Sequence, residues 1–318
     1  MPVPAQHPER SATPRRLGRG AQSKDEANTL PPFFSIIVPT FARPKALSAC
    51  LSAVVRLNYP RERYEVVVVD DGGPASQQSV IDSARDQIAV LLIAQPHAGP
   101  AAARNTGAGQ ARGEYLAFID DDCAPDHDWL AKIAARLTAA PASAVGGQTI
   151  NALPGNPYAA ASQSLIDYLY SHYNSDPNHA RFFASNNLAL PRKQFRELGG
   201  FDPRFPFAAG EDRDLCDRWL NNGWPMAHAP EAVVQHAHAL TLRAFWRQQF
   251  NYGSGTYYFH RLRAQRARGP IRFERFSFYV GLLTHPFRAS QPGLAPLVWL
   301  AQVANAAGYA RARLADRP

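Results

Sequence analysis

YLAFIDDDCAPDHDWL, Tyr115 to Leu130, carries a short apolar run straight into three consecutive carboxylates. Tyr115 to Ile119 is aromatic, aliphatic or β-branched and follows Gly113, the pattern of a buried strand. Asp120, Asp121 and Asp122 stand at its C-terminal end, where open α/β sheets bind ligands. If the extended geometry continues, Asp120 and Asp122 share one side and Asp121 takes the other. Two carboxylates on one side suit a hard divalent cation, because like charges this close raise one another's pKa and need a compensating charge or solvent. The competing reading is a solvated acidic turn, with Asp122 or Asp126 capping a helix that starts near His127. The triplet alone does not choose between them.

The flanking chain supplies the sheet. FFSIIVP, Phe33 to Pro39, predicts a first buried strand, YEVVVVDDGG, Tyr64 to Gly73, a second that also ends in paired acids, and AVLLIA, Ala89 to Ala94, a third. Leu47, Cys50, Leu51, Val54 and Val55 recur at helical spacing between Pro44 and about Leu57, and GPAAARNTGAGQA from Gly99 predicts another helix. Strands alternating with helices imply right-handed crossovers and a largely parallel sheet, with Asp70 and the acid triplet on one edge. Beyond Trp129 the pattern predicts a helix to about Ala139, a strand over Ala144 to Ile150 and a helix around Ala160 to Tyr170. ARFFASNNLALPR, Ala180 to Arg192, reads as a strand crossing the front of the sheet. A helix then opens with Glu211 and Asp212 after Gly210 and continues through Leu215, Trp219 and Leu220, and Pro230 to His238 reads as a last strand.

Composition narrows the class. At 318 residues and 46% apolar content the chain has ample length for one large domain or two small ones. Cys50, Cys123 and Cys216 form no CxxC pair, which argues against a disulfide framework or zinc site and for a reducing compartment. No apolar run approaches the ~20 residues needed to span a bilayer, and MPVPAQHPER lacks the core of a signal peptide, so a cytoplasmic location is expected. Met1 to about Pro32, rich in Pro, Arg, Ser and Ala, is expected to be a disordered arm. From His236 onward there are twelve arginines, no lysine and two acids, so the basic character belongs to the C-terminal segment. Such a segment suits nucleic acid, an anionic membrane surface or phosphorylated substrates. PTFARP after the first strand is neither a Gly-rich triphosphate loop nor GxGxxG, which disfavours a nucleotidyltransferase and a dehydrogenase.

Taken in order, FSIIVPTFARP, YEVVVVDDGG, GPAAARNTGA, ARGEYLAFIDDD, SNNLAL, GGFD and GEDRDL resemble the family 2 glycosyltransferases over about Phe34 to Gly253. The resemblance implies a GT-A nucleotide-diphospho-sugar transferase fold, α/β with a mostly parallel central sheet flanked by helices. It implies a catalytic domain over 33–239 and a basic, aromatic-rich helical region over 240–318. It also implies inverting, metal-dependent transfer from a nucleotide-diphosphate sugar to an acceptor hydroxyl; the basic tail suits a lipid-linked or cell-envelope glycan as acceptor, with small molecules and proteins left open. Pro39 and Thr40 would line the nucleoside pocket, with Asp70 or Asp71 accepting from the base, since a carboxylate is a pure acceptor. Arg104 and Asn105 would approach the nucleotide, where an Arg can pair with phosphate. In the family's DxD pattern Asp122 would bind Mg2+ or Mn2+ and Asp120 would contact ribose or metal, with Asp121 between them. His236 is a further metal ligand, a role for which His238 competes. Asp212, paired with Glu211, would be the general base.

Each role has a plainer structural counterpart. Asp70 and Asp71 suit a turn before Gly72 and Gly73, Arg104 suits a solvated surface, and acids are favourable at a helix N-terminus. In similar proteins an Arg/Gln-rich helix covers the site, which brings Arg247, Gln248 and Gln249 toward diphosphate or acceptor. FSFYVGLLTHPF and LAPLVWLAQVANAAGYA are too short to span a membrane but suit peripheral contact on the inner face of the plasma membrane, with packing on the domain as the alternative. No nucleic-acid partner is expected. The alternative of another class is a non-catalytic protein binding nucleotide sugar, membrane or nucleic acid through its Arg-rich tail.

Overall fold

The computed structural model describes residues 30–73, 77–205 and 209–316; the arm expected over 1–32 lies outside them up to residue 29. Residues 32–318 form one compact unit.

Four parallel strands make one half of the sheet: β1 (Phe34–Thr40), β2 (Tyr64–Asp70), β3 (Val90–Ala94) and β4 (Tyr115–Phe118), in the order β3-β2-β1-β4. Every residue of β1, β2 and β4 is buried, as expected for strands covered on both faces. The crossover helices α1 (Pro44–Val55), α2 (Gln78–Arg85) and α3 (Pro100–Gln110) separate them. Phe34 pairs with Tyr64 and Thr40 with Asp70, so Thr40 and Asp70 end side by side. Ile37 pairs with Phe118, which puts the acid triplet on that same edge.

The other half departs from the parallel expectation. After β5 (Cys123–Pro125) and α4 (Trp129–Ala139) come β6 (Ala144–Asn151), α5 (Pro157–Tyr173), β7 (Leu188–Pro191), α6 (Arg192–Glu197), α7 (Glu211–Asn221) and β8 (Met226–His236). The order continues β4-β7-β6-β8-β5, with β7 antiparallel to β4 and β6, β5 antiparallel to β8, and β6 parallel to β8. The sheet is therefore mixed, with parallel pairings in the majority.

Three local expectations are corrected. The strand expected over Ala180 to Arg192 is real only at β7. Upstream, the Asn174 side chain accepts from the Arg181 and Phe182 amides at 3.0 and 3.2 Å and donates to Phe182 O at 2.8 Å, which occupies the backbone a ladder would need. The acids do not continue β4 as extended chain; a turn follows, closed by Cys123 N–H donating to Asp120 O at 3.1 Å. Neither Asp122 nor Asp126 caps α4, whose first residue is Trp129 and whose N-cap Asp128 makes no side-chain cap.

Asn187 locks this half. It is fully buried, accepts from Trp129 Nε1 at 2.9 Å, and donates to Gln148 O at 3.1 Å and Ala232 O at 3.0 Å, joining α4, β6 and β8. The C-terminal helices are α8 (Leu242–Arg266), α9 (Phe276–Arg288) and α10 (Ala295–Ala315). Gly253 of α8 sits where a Cβ would lie 1.8 Å from Asn305 O, so a glycine is required for α8 and α10 to approach this closely. Gln248 and Gln249 tie α8 to Ser162 of α5, at 2.9 and 3.3 Å, rather than facing a ligand. Arg247 is exposed.

Candidate functional site

Strand register brings the first acids to the histidines. Cys123 pairs with His236 across β5 and β8, and the Ala237 amide donates to Asp122 O at 2.9 Å. Asp122, His236 and His238 each offer a ligand atom within 4.8 Å of the others, a group able to hold a metal ion. His236 Nε2 lies 3.2 Å from Asp122 Oδ1, a buried oxygen whose only close partner among the described residues is this imidazole. One such oxygen flanked by two imidazoles fits a divalent transition ion such as Mn2+, while all-oxygen surroundings would suit Mg2+ better. Burial alone would push the Asp122 carboxyl up, but the hydrogen bond and charge of His236 and the charge of Arg43 hold it well below the usual range. Burial works against the His236 imidazolium, yet Asp122 raises it overall; at His238 burial wins and the pKa is lowered. Both histidines lie in the group, each with a nitrogen within reach of the shared position.

Arg43 follows β1 and spans the acids. Its guanidinium reaches Asp121 Oδ1 at 2.5 Å and Asp122 Oδ2 at 2.7 Å. Asp121 is fully buried and accepts from Thr40 Oγ1 at 2.6 Å, so Thr40 and Asp121 brace the turn rather than line a pocket. Burial pushes the Asp121 carboxyl up to about 6.

Arg104 carries the next link. It is buried on α3, with Nη2 2.7 Å from Asp120 Oδ1 and Nη1 3.3 Å from Glu211 Oε1 at the start of α7. Asp120, expected at the ribose or the cation, contacts this guanidinium, and Arg104, expected near phosphate, is paired here with two carboxylates. The ring of Phe201 lies 5.6 Å from the Arg104 guanidinium carbon. Asp212 accepts from the Arg213 amide at 2.7 Å and from the Ser185 backbone, which joins the SNN segment to the Glu211–Asp212 pair. Burial raises the Asp212 carboxyl, against those bonds and the charge of Arg104. Tyr252 of α8 faces the same acids: burial first, then the charges of Asp212, Glu211, Asp120 and Asp122, raise its phenol.

Burial and Asp212 push the Glu211 carboxyl from its ordinary 4.5 up to about 7. In that window the folded chain holds a proton that the unfolded chain has released, so stability is highest below it and falls as pH rises through it. Glu211→Gln removes this titration. Melting temperatures measured across the window should fall with pH less steeply in the variant than in the wild type; parallel curves would refute the assignment.

The other end of the edge is more closed than expected. Asp71 accepts from Gln95 Nε2 at 2.6 Å and from the Ala98 and Gly99 amides at 2.9 Å each, so its oxygens organise the loop before α3. Asp70 accepts from the Gly73 amide at 3.3 Å. Pro39 is buried within β1. Asn105, expected near the nucleotide, exchanges hydrogen bonds with both backbone groups of Phe201, at 2.7 and 2.9 Å, and so holds the GGFD loop. Gly200 in that loop has φ +72°, and a Cβ there would meet Asn105 Oδ1 at 2.5 Å. Phe41, 44% exposed, sets its ring 4.5 Å from that of His97 with the planes 38° apart, an aromatic pair beside the ends of β1 and β3.

The sequence pattern called Glycosyl transferase family 2 matches residues 35–199, more than half of the chain. The chain belongs to glycosyl transferase family 2. This family 2 glycosyltransferase is 28% identical to glycosyltransferase AglE of Haloferax volcanii over 70% of its own length and 73% of the relative's. It is also 28% identical to a validoxylamine A glucosyltransferase of Streptomyces hygroscopicus, over 63% of its length and 54% of the relative's. It thus spans about half of that second relative. The mannosyltransferase PcManGT from Pyrobaculum calidifontis, solved with GDP-Man and Mn2+, superposes with a TM-score of 0.60 at 21% identity, covering 91% of this chain and 77% of the other. TarS residues 1–349 of S. aureus, solved with UDP-GlcNAc, gives 0.53 at 16% identity, covering 89% and 91%. These likenesses establish the GT-A fold.

Sequence reasoning about this glycosyltransferase overlooked four residues. Arg43 was signalled only by its place in the FARP loop directly after the first strand. Phe41 and His97 come together through the parallel pairing of β1, β2 and β3, which spacing alone does not fix. Tyr252 lies in a helix singled out for its Arg and Gln, not its aromatics.

Proposed function

We propose that the protein is a metal-dependent, inverting glycosyltransferase that moves a sugar from a nucleoside-diphosphate sugar to the hydroxyl of a glycan acceptor, lipid-linked or part of a cell-envelope polymer. The observation that supports it best is the Asp120–Arg104–Glu211 bridge, centred on the buried Arg104, which joins the acid turn to the start of α7, where Asp212 follows Glu211. The division into a catalytic domain over 33–239 and a C-terminal helical region over 240–318 belongs to the same reading, as does peripheral contact of that region with the inner face of the membrane.

Asp122, His236 and His238 would hold the cation. When bound, it supplies positive charge against the diphosphate as the leaving group forms. The rest is done by side chains. The Phe41 and His97 pair offers a stacking surface for a base, and Asp70 a carboxylate acceptor. Asp212 takes the proton from the acceptor hydroxyl. The oxygen then forms its bond to the anomeric carbon from the face opposite the diphosphate, whose bond to that carbon breaks with its electron pair, and the configuration inverts. A carboxyl raised by burial is a stronger base than one in water, which suits the task. Arg104 keeps Asp120 and Glu211 in place, leaving Asp212 as the acid without an ion-pair partner in this trio.

The test is a panel of nucleotide sugars with Mn2+ or with chelator, monitored for nucleoside diphosphate release. Slow hydrolysis of one donor, abolished by chelation, is expected. No release from any donor, together with no Mn2+-dependent affinity for a nucleoside diphosphate, would leave the reading without support.

A further inference from the structure

The outer face of α9 and α10 is apolar and turned to solvent. Along α9, Phe276 at 81% exposure, Val280, Leu283 and Phe287 recur at helical spacing as one stripe. On α10, Trp299 and Val303 continue it. The stripes are joined: Trp299 Nε1 donates to Leu283 O at 3.2 Å, and the Phe287 and Trp299 rings are 6.4 Å apart. A cavity of about 410 Å3 among α8, α9 and α10 shares Tyr279 and Leu283 with this face, and it is also lined by His260, which is 6% exposed and whose Nδ1 has no hydrogen-bond partner. The rim is basic. Arg272 and Arg275 precede the stripe and Arg288 ends α9, all exposed; farther along α10, Arg311, over the Phe250 ring of α8, and Arg313 are also exposed. The one acid between residues 267 and 315 is Glu274, which is engaged with Tyr173 and Arg213.

We propose that this face docks on an anionic lipid bilayer, with α9 and α10 lying in the boundary between headgroups and acyl chains and the rim arginines level with the phosphates. It deepens the reading above and rests on it for its purpose, since a lipid-linked acceptor presents its hydroxyl at such a surface. Aromatic and aliphatic side chains on one side with arginines around them are the composition of an interfacial helix pair. Among the described residues no helix is long and apolar enough to cross a membrane, so the contact is peripheral. A second copy of the chain is the poorer occupant. A two-fold interface would bring arginine rims together with no acids to pair them, whereas anionic headgroups complement every one.

The experiment sediments the full chain with vesicles of phosphatidylcholine, and of phosphatidylcholine mixed with phosphatidylglycerol, at low and high salt. Binding to the anionic vesicles that weakens with salt is expected. Arg272→Glu with Arg275→Glu should lower partitioning roughly tenfold or more, at about one charge's worth of surface attraction per arginine. Phe276→Ser with Phe287→Ser should lower it by loss of insertion. Both variants should keep Mn2+-dependent donor hydrolysis in solution, because neither touches the acids. A wild-type chain that stays in the supernatant with anionic vesicles overturns the proposal, as do variants that bind as well as the wild type. A dimer in sedimentation velocity that Phe276→Ser with Phe287→Ser abolishes also overturns it, giving the face to a second copy. Vesicle binding without donor hydrolysis by the wild type leaves the docking standing and removes the catalytic reading.

Discussion

Asp122→Ala is expected to lower sugar transfer by about a thousandfold, on the order of 4 kcal/mol in the barrier. The loss should appear as lost Mn2+ affinity, measured directly by the electron paramagnetic resonance of free Mn2+. His236 and His238 remain on and just beyond β8, but two imidazoles without the carboxylate make a poorer site for a hard divalent ion and leave its charge less neutralised. The fold should survive the change. Arg43 keeps Asp121 as a partner, and the bond from the Ala237 amide to residue 122 uses the backbone oxygen, which alanine also carries. A native circular dichroism spectrum with Mn2+ binding gone is therefore the expected pair of results. A variant that binds Mn2+ and transfers sugar at the wild-type rate would sink the assignment of this cluster. Asp120→Ala should behave differently, since Asp120 meets Arg104 rather than the histidines. Its first effect is an unpaired side on a buried guanidinium, which costs stability before it costs metal.

The central strands were legible because burial on both faces leaves an unbroken apolar run, as in IIVP and VVVV, and little else in a folded domain produces one. The acid edge followed from strand order. What the residues could not reveal was which carboxylates are already spent. Asp71 and Asp121 look as free in the sequence as Asp122. Asp71 is consumed by three donors of a loop more than twenty positions away and Asp121 by Thr40 and Arg43, eighty positions upstream. Such pairings depend on tertiary placement, which periodicity does not encode. The Arg104 bridge was hidden for the same reason: a helical arginine reads as solvent-facing until an acid 107 residues later is folded against it. Ala180 to Arg192 misled in the opposite way. Phe182 and Phe183 have the composition of a strand, but a single side chain, Asn174, takes the backbone groups that a neighbouring strand would have used.

Asp212→Asn tests the chemical step itself. The amide matches the carboxylate in shape, and its oxygen can still accept from the Arg213 amide, so the start of α7 keeps its structure. It cannot take a proton. Loss of a positioned general base costs about a hundredfold to ten-thousandfold in kcat, and the affinities for Mn2+ and nucleoside diphosphate, which rest on other residues, should stay at wild-type values. The pH profile separates this from a structural effect. Burial raises the Asp212 carboxyl, so wild-type kcat should climb with pH as that group ionises, and the climb should vanish in the variant. Glu211→Gln gives the contrast, because Glu211 holds Arg104 and its replacement disturbs position without removing the base. If Asp212→Asn kept both the wild-type rate and the rising limb while Glu211→Gln lost them, the base would be Glu211, and the ion pair with Arg104 would have to open in each catalytic cycle.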